Sequence, residues 1–279
     1  MMLEIGKINS LRVVKKVDFG IYLDGGQYGD ILMPLRYTPE NCLVGDLVDA
    51  FIYNDSEDRL IATTEIPLAQ VGEFAFLKVV SVDQYGAFLD WGLPKDLLVP
   101  FREQKITMCQ GKSYIVAVFL DKATNRIAAS SKIEKFLKKE ITDLTDNQMV
   151  DVMIDHETDI GYTAIVNNAY HGLLYKSEIF QPLNKGMKCT AWIKKIREDN
   201  KIDLSMTEPG RNKIEPLAEK ILAELKNNQG FLPLNDKSPS EMIYASFQQS
   251  KKTFKIALGY LYKQRLIVIS DDGIRLTGK

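Results

Sequence analysis

Short runs of apolar and β-branched residues, interrupted by turn-forming residues, extend over the first two thirds of the chain. In residues 1–66 these runs predict five strands, because each run is short and is bounded by glycine, proline or acidic residues. Gly20 interrupts the first run, Asp24-Gly25-Gly26 gives a hairpin turn, and residues 54–58 give a second turn. Five strands in a segment of this length fit a small, partly open Greek-key barrel.

The strand pattern repeats at an offset of 66 residues. Residues 11–14 recur as 77–80, and residues 30–34 recur as 96–100. A period of this length is that of a whole barrel rather than of a solenoid turn.

A third copy follows at an offset of 75, and it is weaker than the first two. It rests on Gly161 and Gly186, which repeat two glycines of the second copy, and on the Asn200-Lys201-Ile202 segment. One inserted residue between these positions aligns Gly172 with Asp96. The chain is therefore read as a tandem array of three barrels.

After Lys213 the spacing of apolar residues becomes helical. Residues 214–225 predict one helix, the capping-box signature at 238–241 opens a second, and residues 250–261 predict a third. A two-residue-turn hairpin follows at 266–276. Three helices and a hairpin describe a winged helix-turn-helix.

The expected fold class is mostly β with an α+β C-terminal domain: three tandem five-stranded barrels of the OB-fold type, followed by a winged helix-turn-helix. The expected domains are residues 1–66, 67–132, 143–207 and 213–279. Linkers are expected near Pro67, within residues 132–147 and at Pro209-Gly210.

Three segments, residues 17–23, 82–89 and 172–178, resemble the S1-type RNA-binding domain. That family has an aromatic residue, glycine, one residue and a second aromatic, and later a Gly-Leu-x-His-x-Ser-Glu stretch. The first two barrels have the aromatic pair, with Met33 and Val99 at the position of the family's histidine. The third has Tyr175 at that position but has Ile160 and Thr163 in place of the aromatics.

An aromatic side chain that points outward from a strand offers a flat face to an unpaired base, which is worth about 1–3 kcal/mol per base. The candidate RNA-binding aromatics are Phe19, Tyr22, Tyr85, Phe88 and Tyr175. The candidate phosphate-binding residues are Arg12, Lys15, Lys16 and Arg36 in the first barrel, and Lys78, Arg102 and Lys105 in the second. The alternatives are a place in the barrel core for each aromatic and an ordinary solvated face for each cation.

In the C-terminal domain the third predicted helix would meet nucleic acid through its first residues, Ser250, Lys251, Lys252 and Lys255. The wing has only Arg275 and Lys279 as cations, fewer than is usual in a domain that binds duplex DNA. Contact with RNA, docking of a protein and a structural end-cap are the alternatives for this domain.

The order of three S1-type barrels and a winged helix, together with residues 244–255 and 261–263, resembles the bacterial conserved virulence factor B family of RNA-binding proteins. The resemblance implies a cytoplasmic RNA-binding regulator of gene expression, and the stacking aromatics favour single-stranded RNA as its partner. The alternative is a transcription regulator that binds duplex DNA through the winged helix, with the barrels as interaction surfaces.

The net charge of the whole chain is −1, but residues 1–65, 66–140, 141–212 and 213–279 carry net charges of −5, +3, −3 and +4. A polyanion should therefore prefer the second and fourth segments. Three cysteines and two histidines show no metal-ligand spacing, and no glycine-rich phosphate loop or nucleophile motif is present. We expect no enzyme activity and no cofactor, with a carboxylate-based nuclease as the weaker alternative.

No segment of the sequence has the layout of a signal peptide or an apolar run long enough to span a bilayer. The expectation is a cytoplasmic monomer without a membrane partner.

Overall fold

The computed structural model describes residues 3–176, 179, 182–208 and 214–277. Three five-stranded units are followed by a domain of three helices and a small sheet, which confirms the expected fold class. The barrels form one compact unit and the C-terminal domain forms another. Within the described residues no helix is long and apolar enough to cross a membrane.

The strands follow one another in the same way in all three barrels. Barrel 1 contains β1 (Ile8–Val17), β2 (Gly20–Asp24), β3 (Asp30–Pro34), β4 (Leu47–Asn54) and β5 (Leu60–Thr63). Barrel 2 contains β6 (Phe74–Val82), β7 (Gly86–Asp90), β8 (Leu97–Pro100), β9 (Ser113–Asp121) and β10 (Arg126–Ser130). Barrel 3 contains β11 (Met149–Glu157), β12 (Gly161–Val166), β13 (Tyr170–Tyr175), β14 (Lys188–Ile196) and β15 (Ile202–Ser205).

Barrels 1 and 3 are closed, with the order β1-β2-β3-β5-β4 and its equivalent, and in each the third and fifth strands pair in parallel. The sheet of barrel 2 has the same order, β10-β9-β6-β7-β8. Its end strands β8 and β10 lie side by side, as the two ends of a partly open barrel do.

A β-bulge confirms the repeat in three dimensions. The first strand of each barrel carries one extra residue at an equivalent position: Val14, Val80 and Asp155. These residues are separated by the offsets of 66 and 75 that the sequence shows. A bulge bends a strand, so the first strand can pair with the second along one half and with the fourth along the other.

Barrel 1 packs on barrel 2 through the outer face of β4. Its residues Ala50 and Ile52 belong to the core of barrel 1, whereas Phe51 and Tyr53 point the other way and join the core of barrel 2. The Phe51 ring meets the Trp91 ring edge-on, with centroids 5.7 Å apart. We call this contact of Phe51 and Tyr53 with the core of barrel 2 the inter-barrel cluster.

Barrel 3 packs on barrel 2 through the equivalent strand of that barrel. Ile115 and Ala117 on the outer face of β9 lie in one buried cluster with Met153 and Ile165 of barrel 3. Aromatic packing extends the contact, because Phe136 of the connecting segment lies against Phe119 with ring centroids 5.3 Å apart.

The two expected linkers inside the array each contact the barrels, although most of their side chains are exposed. Pro67 is buried, and the next residue, Leu68, donates its backbone N–H to the Trp91 carbonyl at 2.8 Å. In the segment 132–147, Ile133 is buried and Lys138 donates to the Ala169 carbonyl at 2.8 Å. Pro209-Gly210 lies outside the described residues, and the four domain boundaries stay a prediction.

The C-terminal domain contains α1 (Ile214–Asn227), β16 (Phe231–Leu232), α2 (Ser240–Phe247), α3 (Lys251–Lys263), β17 (Ile267–Ser270) and β18 (Gly273–Leu276). Its strands are ordered β16-β18-β17. The helices bury a common core, in which Ile221, Ile243 and Phe254 are fully buried. These are the helices and the wing that the helical spacing and the Asp272-Gly273 turn predict.

Two equivalent glycines have different reasons for being glycine. Gly111 and Gly186 both have left-handed backbones, with φ of +81° and +80°. A Cβ at Gly111 would meet no atom within 4 Å, whereas a Cβ at Gly186 would lie 2.2 Å from Cδ1 of Phe76 in barrel 2. Gly111 is therefore required only by its left-handed backbone. Gly186 is required by its left-handed backbone and also by the close approach of Phe76 of barrel 2.

We predict that Gly111→Ala lowers the free energy of unfolding by about 1–2 kcal/mol, the usual cost of a left-handed backbone for a residue with a Cβ. Gly186→Ala should cost more, because the Phe76 ring must also move. Urea unfolding followed by tryptophan fluorescence measures both. The added cost should disappear in Gly186→Ala combined with Phe76→Ala, and equal costs for the two single variants would contradict the packing described.

Candidate nucleic-acid interface

The aromatic pair of barrel 1 lies at the beginning of β2, outside the core. Gly20 has a φ of +152°, and a Cβ there would lie 2.1 Å from the Met33 carbonyl oxygen, so only glycine fits. The tight turn leaves Phe19 58% exposed, while Tyr22 is half-buried. Their rings meet edge to face, with centroids 6.4 Å apart. Phe19 is therefore a surface residue rather than a core residue.

Barrel 2 repeats this arrangement. Gly86 has a φ of +154° and the same close approach, here to the Val99 carbonyl oxygen at 2.2 Å. Tyr85 is 64% exposed and Phe88 is half-buried. The structure thus places both aromatic pairs outward, which is the orientation that base stacking requires.

A row of half-buried apolar residues continues from each aromatic pair across the sheet. In barrel 1, Tyr22 is paired with Leu32, and Leu32 is paired with Ile61. In barrel 2, Phe88 is paired with Leu98 in the same way. Paired residues of neighbouring strands share a face of the sheet, so each barrel presents one apolar platform.

The platform of barrel 2 is the floor of a groove of about 640 Å³. Tyr85 and Phe88 line the groove together with residues 54, 56 and 58 of the β4–β5 turn of barrel 1. Tyr53 also lines the groove, and burial raises the pKa of its phenol to about 12. The groove exists because the inter-barrel cluster holds the two barrels together.

The cations of the groove are paired with acids. Arg126, at the beginning of β10, forms an ion pair with Asp58 of barrel 1. Lys95 donates to the Asp55 carbonyl at 2.6 Å, and its Nζ lies 3.5 Å from the Asp58 carboxylate. Sequence reasoning missed Arg126 and Lys95 as groove residues. The repeat aligns Ile127, which follows Arg126, with the platform residue Ile61 of barrel 1, but no pattern shows that a turn of barrel 1 faces Arg126.

The predicted cations of barrel 1 lie at different places. Lys15 is paired with Tyr22 across the β1–β2 ladder, so it flanks the aromatic pair. Arg36 lies over the Tyr37 ring, with its guanidinium carbon 4.5 Å from the ring centroid. Arg12 donates to the Gly45 carbonyl at 2.7 Å, and Lys16 to the Cys42 carbonyl at 3.5 Å, so both are directed to the β3–β4 connection.

The predicted cations of barrel 2 are also dispersed. Arg102 is largely exposed and lies 3.3 Å from Asp121, a residue that lines the groove. Lys78 is paired with Asp90 across the β6–β7 ladder. Lys105 forms an ion pair with Glu134, in the segment that follows β10. Of these three cations, Arg102 lies next to the groove, because its partner Asp121 lines the groove.

Barrel 3 presents a different surface at the equivalent face. Ile160 is exposed and Thr163 is buried at the positions of the aromatic pair. A second pocket, of about 410 Å³, lies there and is lined in part by His171 and Arg197. Burial lowers the pKa of the His171 imidazole, and Arg197 is held by Asp203 at 2.6 Å. The barrel-3 face therefore lacks the aromatic platform of the other two barrels.

The alternation of buried residues corrects the alignment of β13. Met33 of β3 and Leu174 of β13 are both fully buried, which aligns them without an inserted residue. Half-buried Tyr175 then corresponds to Pro34 and Pro100, and its alignment with Met33 is wrong. The last two residues of the family's Gly-Leu-x-His-x-Ser-Glu stretch in barrel 3, Ser177 and Glu178, lie outside the described residues.

The first residues of α3 serve different purposes. The Ser250 side chain accepts a hydrogen bond from the Thr253 N–H at 3.2 Å, which makes Ser250 the helix cap. Lys251 donates to the Lys237 carbonyl at 3.0 Å, and Lys255 lies 3.7 Å from Asp236. Lys252 is exposed.

In the wing, Arg275 is held by the Asp272 carboxylate at 2.6 Å and by the Phe231 ring. Lys279, the other predicted cation of the wing, lies outside the described residues. No three His, Cys, Asp or Glu side chains in the described part of the chain are placed to hold a metal ion.

Comparison with known families identifies two domains. Residues 5–65 match the S1 domain family, and residues 219–276 match the family described as the CvfB-like winged helix domain. These are typically domains of non-enzymatic nucleic-acid-binding proteins.

Whole-chain relatives agree with these domains. The chain is 26% identical to conserved virulence factor B of Staphylococcus saprophyticus, over 85% of this chain and 81% of that protein. It is 29% identical to the uncharacterized protein YitL of Bacillus subtilis, over 92% and 89%. These matches confirm the resemblance to the conserved virulence factor B family.

Among solved structures, the chain aligns with a multidomain protein with nucleic acid binding domains from Streptococcus pneumoniae. The alignment has 25% identity and a TM-score of 0.41, and it covers 98% of both chains.

Proposed function

We propose that the protein binds single-stranded RNA through the aromatic pairs of barrels 1 and 2. The observation that carries the proposal is the outward orientation of Phe19 and Tyr85, each next to a half-buried apolar platform. An exposed aromatic beside such a platform stacks an unpaired base, and it does so with little dependence on the base because every base has a flat face. Duplex nucleic acid has no unpaired base to offer.

The charges support a single strand held by its phosphates as well as by stacking. Lys15 flanks the pair in barrel 1, and Arg126 and Lys95 line the groove of barrel 2. The segment 66–140 that contains barrel 2 has a net charge of +3, whereas 141–212 has −3. Barrel 2 should therefore contribute more to binding than barrel 3.

The resemblance to the conserved virulence factor B family extends the proposal to biology. We propose a cytoplasmic regulator of gene expression that acts on RNA without catalysis and as a monomer. The winged helix adds a second contact with the same RNA, because tethering makes even weak binding by its +4 segment effectively intramolecular.

The test of the proposal is the Tyr85→Ala, Phe88→Ala double variant of the full chain, compared with Tyr162→Ala in barrel 3. Loss of stacking at about 1–3 kcal/mol per base predicts at least a roughly fivefold loss of affinity for a short oligouridine, and Tyr162→Ala should change it little. Fluorescence anisotropy across a salt series measures both, and affinity should fall with salt by about 0.7 log units per phosphate contact for each tenfold increase.

Tyr85→Ala alone controls for folding, because that side chain is mostly exposed and its removal should leave the melting temperature unchanged. Wild-type affinity that does not respond to salt, or an equal loss in the barrel-3 variant, would contradict the proposal.

For the winged helix we predict that changing Lys251, Lys252 and Lys255 together to Ala weakens binding of long RNA and makes its salt dependence shallower. The fold should persist, because Phe254, Ala257 and Leu258 form the buried face of α3 and are untouched. Binding of short oligomers should stay the same. Unchanged binding of long RNA would assign this domain to protein docking, and tighter binding of duplex DNA that the triple variant abolishes would favour the transcription regulator.

A further inference from the structure

The groove between barrels 1 and 2 contains one acid whose position is unusual. Asp58 ends the β4–β5 turn of barrel 1 with a left-handed backbone, φ +63°, and its carboxylate reaches across to Arg126 of barrel 2. The same carboxylate lies 3.5 Å from Nζ of Lys95. One acid of barrel 1 therefore faces two cations in the groove of barrel 2.

The Asp58–Arg126 pair is not what holds the barrels together. The two side chains are 42% and 57% exposed, and exposed ion pairs contribute little to stability. The barrels are held by buried groups instead, above all by Phe51 against Trp91 and by the Val71 N–H bond to the Gly6 carbonyl at 2.9 Å. The ion pair is thus free to exchange its partner without undocking the barrels.

Arg126 is also placed to bind the phosphate of a nucleotide that stacks in the groove. It lines the same groove as Tyr85 and Phe88, and it precedes Ile127 of β10, which also lines the groove. A guanidinium binds carboxylate and phosphate oxygens through the same pair of N–H donors. The volume of about 640 Å³ falls within the range of sites that hold small ligands.

We propose that this groove binds one unpaired nucleotide of RNA, and that in the free protein the Asp58 carboxylate occupies the place of its phosphate on Arg126. The base stacks on Tyr85 and Phe88, and the phosphate displaces Asp58 from the guanidinium. Barrel 1 thereby sets the affinity of barrel 2, because each binding event must separate the ion pair and place two negative groups near each other. The inference rests on the proposed function and specifies its site.

The experiment compares two single-charge variants of the same turn in the full chain. Asp58→Asn removes the carboxylate that faces Arg126, and asparagine tolerates the left-handed backbone. Glu57→Gln removes an equal charge one residue away, from a side chain that pairs with Arg59 at 2.8 Å instead of with the groove cations. Comparing the two variants separates the effect of the Asp58–Arg126 contact from the effect of net charge.

We expect Asp58→Asn to bind a short oligouridine at least threefold more tightly than Glu57→Gln does. The salt dependence should be similar in the two variants, because a phosphate contacts Arg126 in both complexes. The gain should vanish when Arg126→Ala is added to Asp58→Asn. Equal affinities for the two charge variants, or a gain that survives without Arg126, would overturn the inference.

These outcomes are distinct from a failure of the proposed function. If the wild type does not bind RNA, or if Tyr85→Ala with Phe88→Ala leaves binding unchanged, RNA binding by barrel 2 fails and this inference fails with it. If that double variant loses affinity but the two charge variants are alike, only the role of Asp58 fails.

Discussion

The contact on which the candidate site depends is the burial of Phe51 and Tyr53 of barrel 1 in the core of barrel 2. A barrel strand normally has one face in the core and one in water, whereas β4 is buried on both faces. Burying two aromatic side chains contributes several kcal/mol, at roughly 25 cal/mol for each Å² of apolar surface. This contact fixes the β4–β5 turn beside the aromatic pair of barrel 2, and so turns an open platform into a groove.

The equivalent strand of barrel 2, β9, makes the next contact along the array. Its residues Ile115 and Ala117 face barrel 3, as Phe51 and Tyr53 of β4 face barrel 2. The sequence contained this signal. Residues 50–53 and 115–118 are unbroken apolar runs, where a strand with a wet face would alternate. Periodicity, turns and repeats predict the barrels and the winged helix correctly, and these two runs indicate in addition that the barrels dock against one another.

The candidate site was predictable from the sequence where it depends on local features, and not where it depends on the docking of two barrels. The outward aromatics are local features, because the turn at Gly20 or Gly86 determines where the side chain before it points. Arg126 and Asp58 belong to the groove only after two barrels dock, and no local pattern contains that information. Ser250 caps α3, since a serine before a helix satisfies a backbone N–H, and its contact with nucleic acid stays a prediction.

The central claim, that RNA lies on the outward aromatics of the first two barrels, is tested most directly by ultraviolet cross-linking of the full chain to a short oligouridine, with the cross-linked peptides identified by mass spectrometry. Stacked bases cross-link to the aromatic side chains that they contact, so the account predicts adducts on peptides that contain Tyr85 and Phe88, and fewer on those that contain Phe19 and Tyr22. Adducts confined to barrel 3 or to residues 214–277 would contradict it.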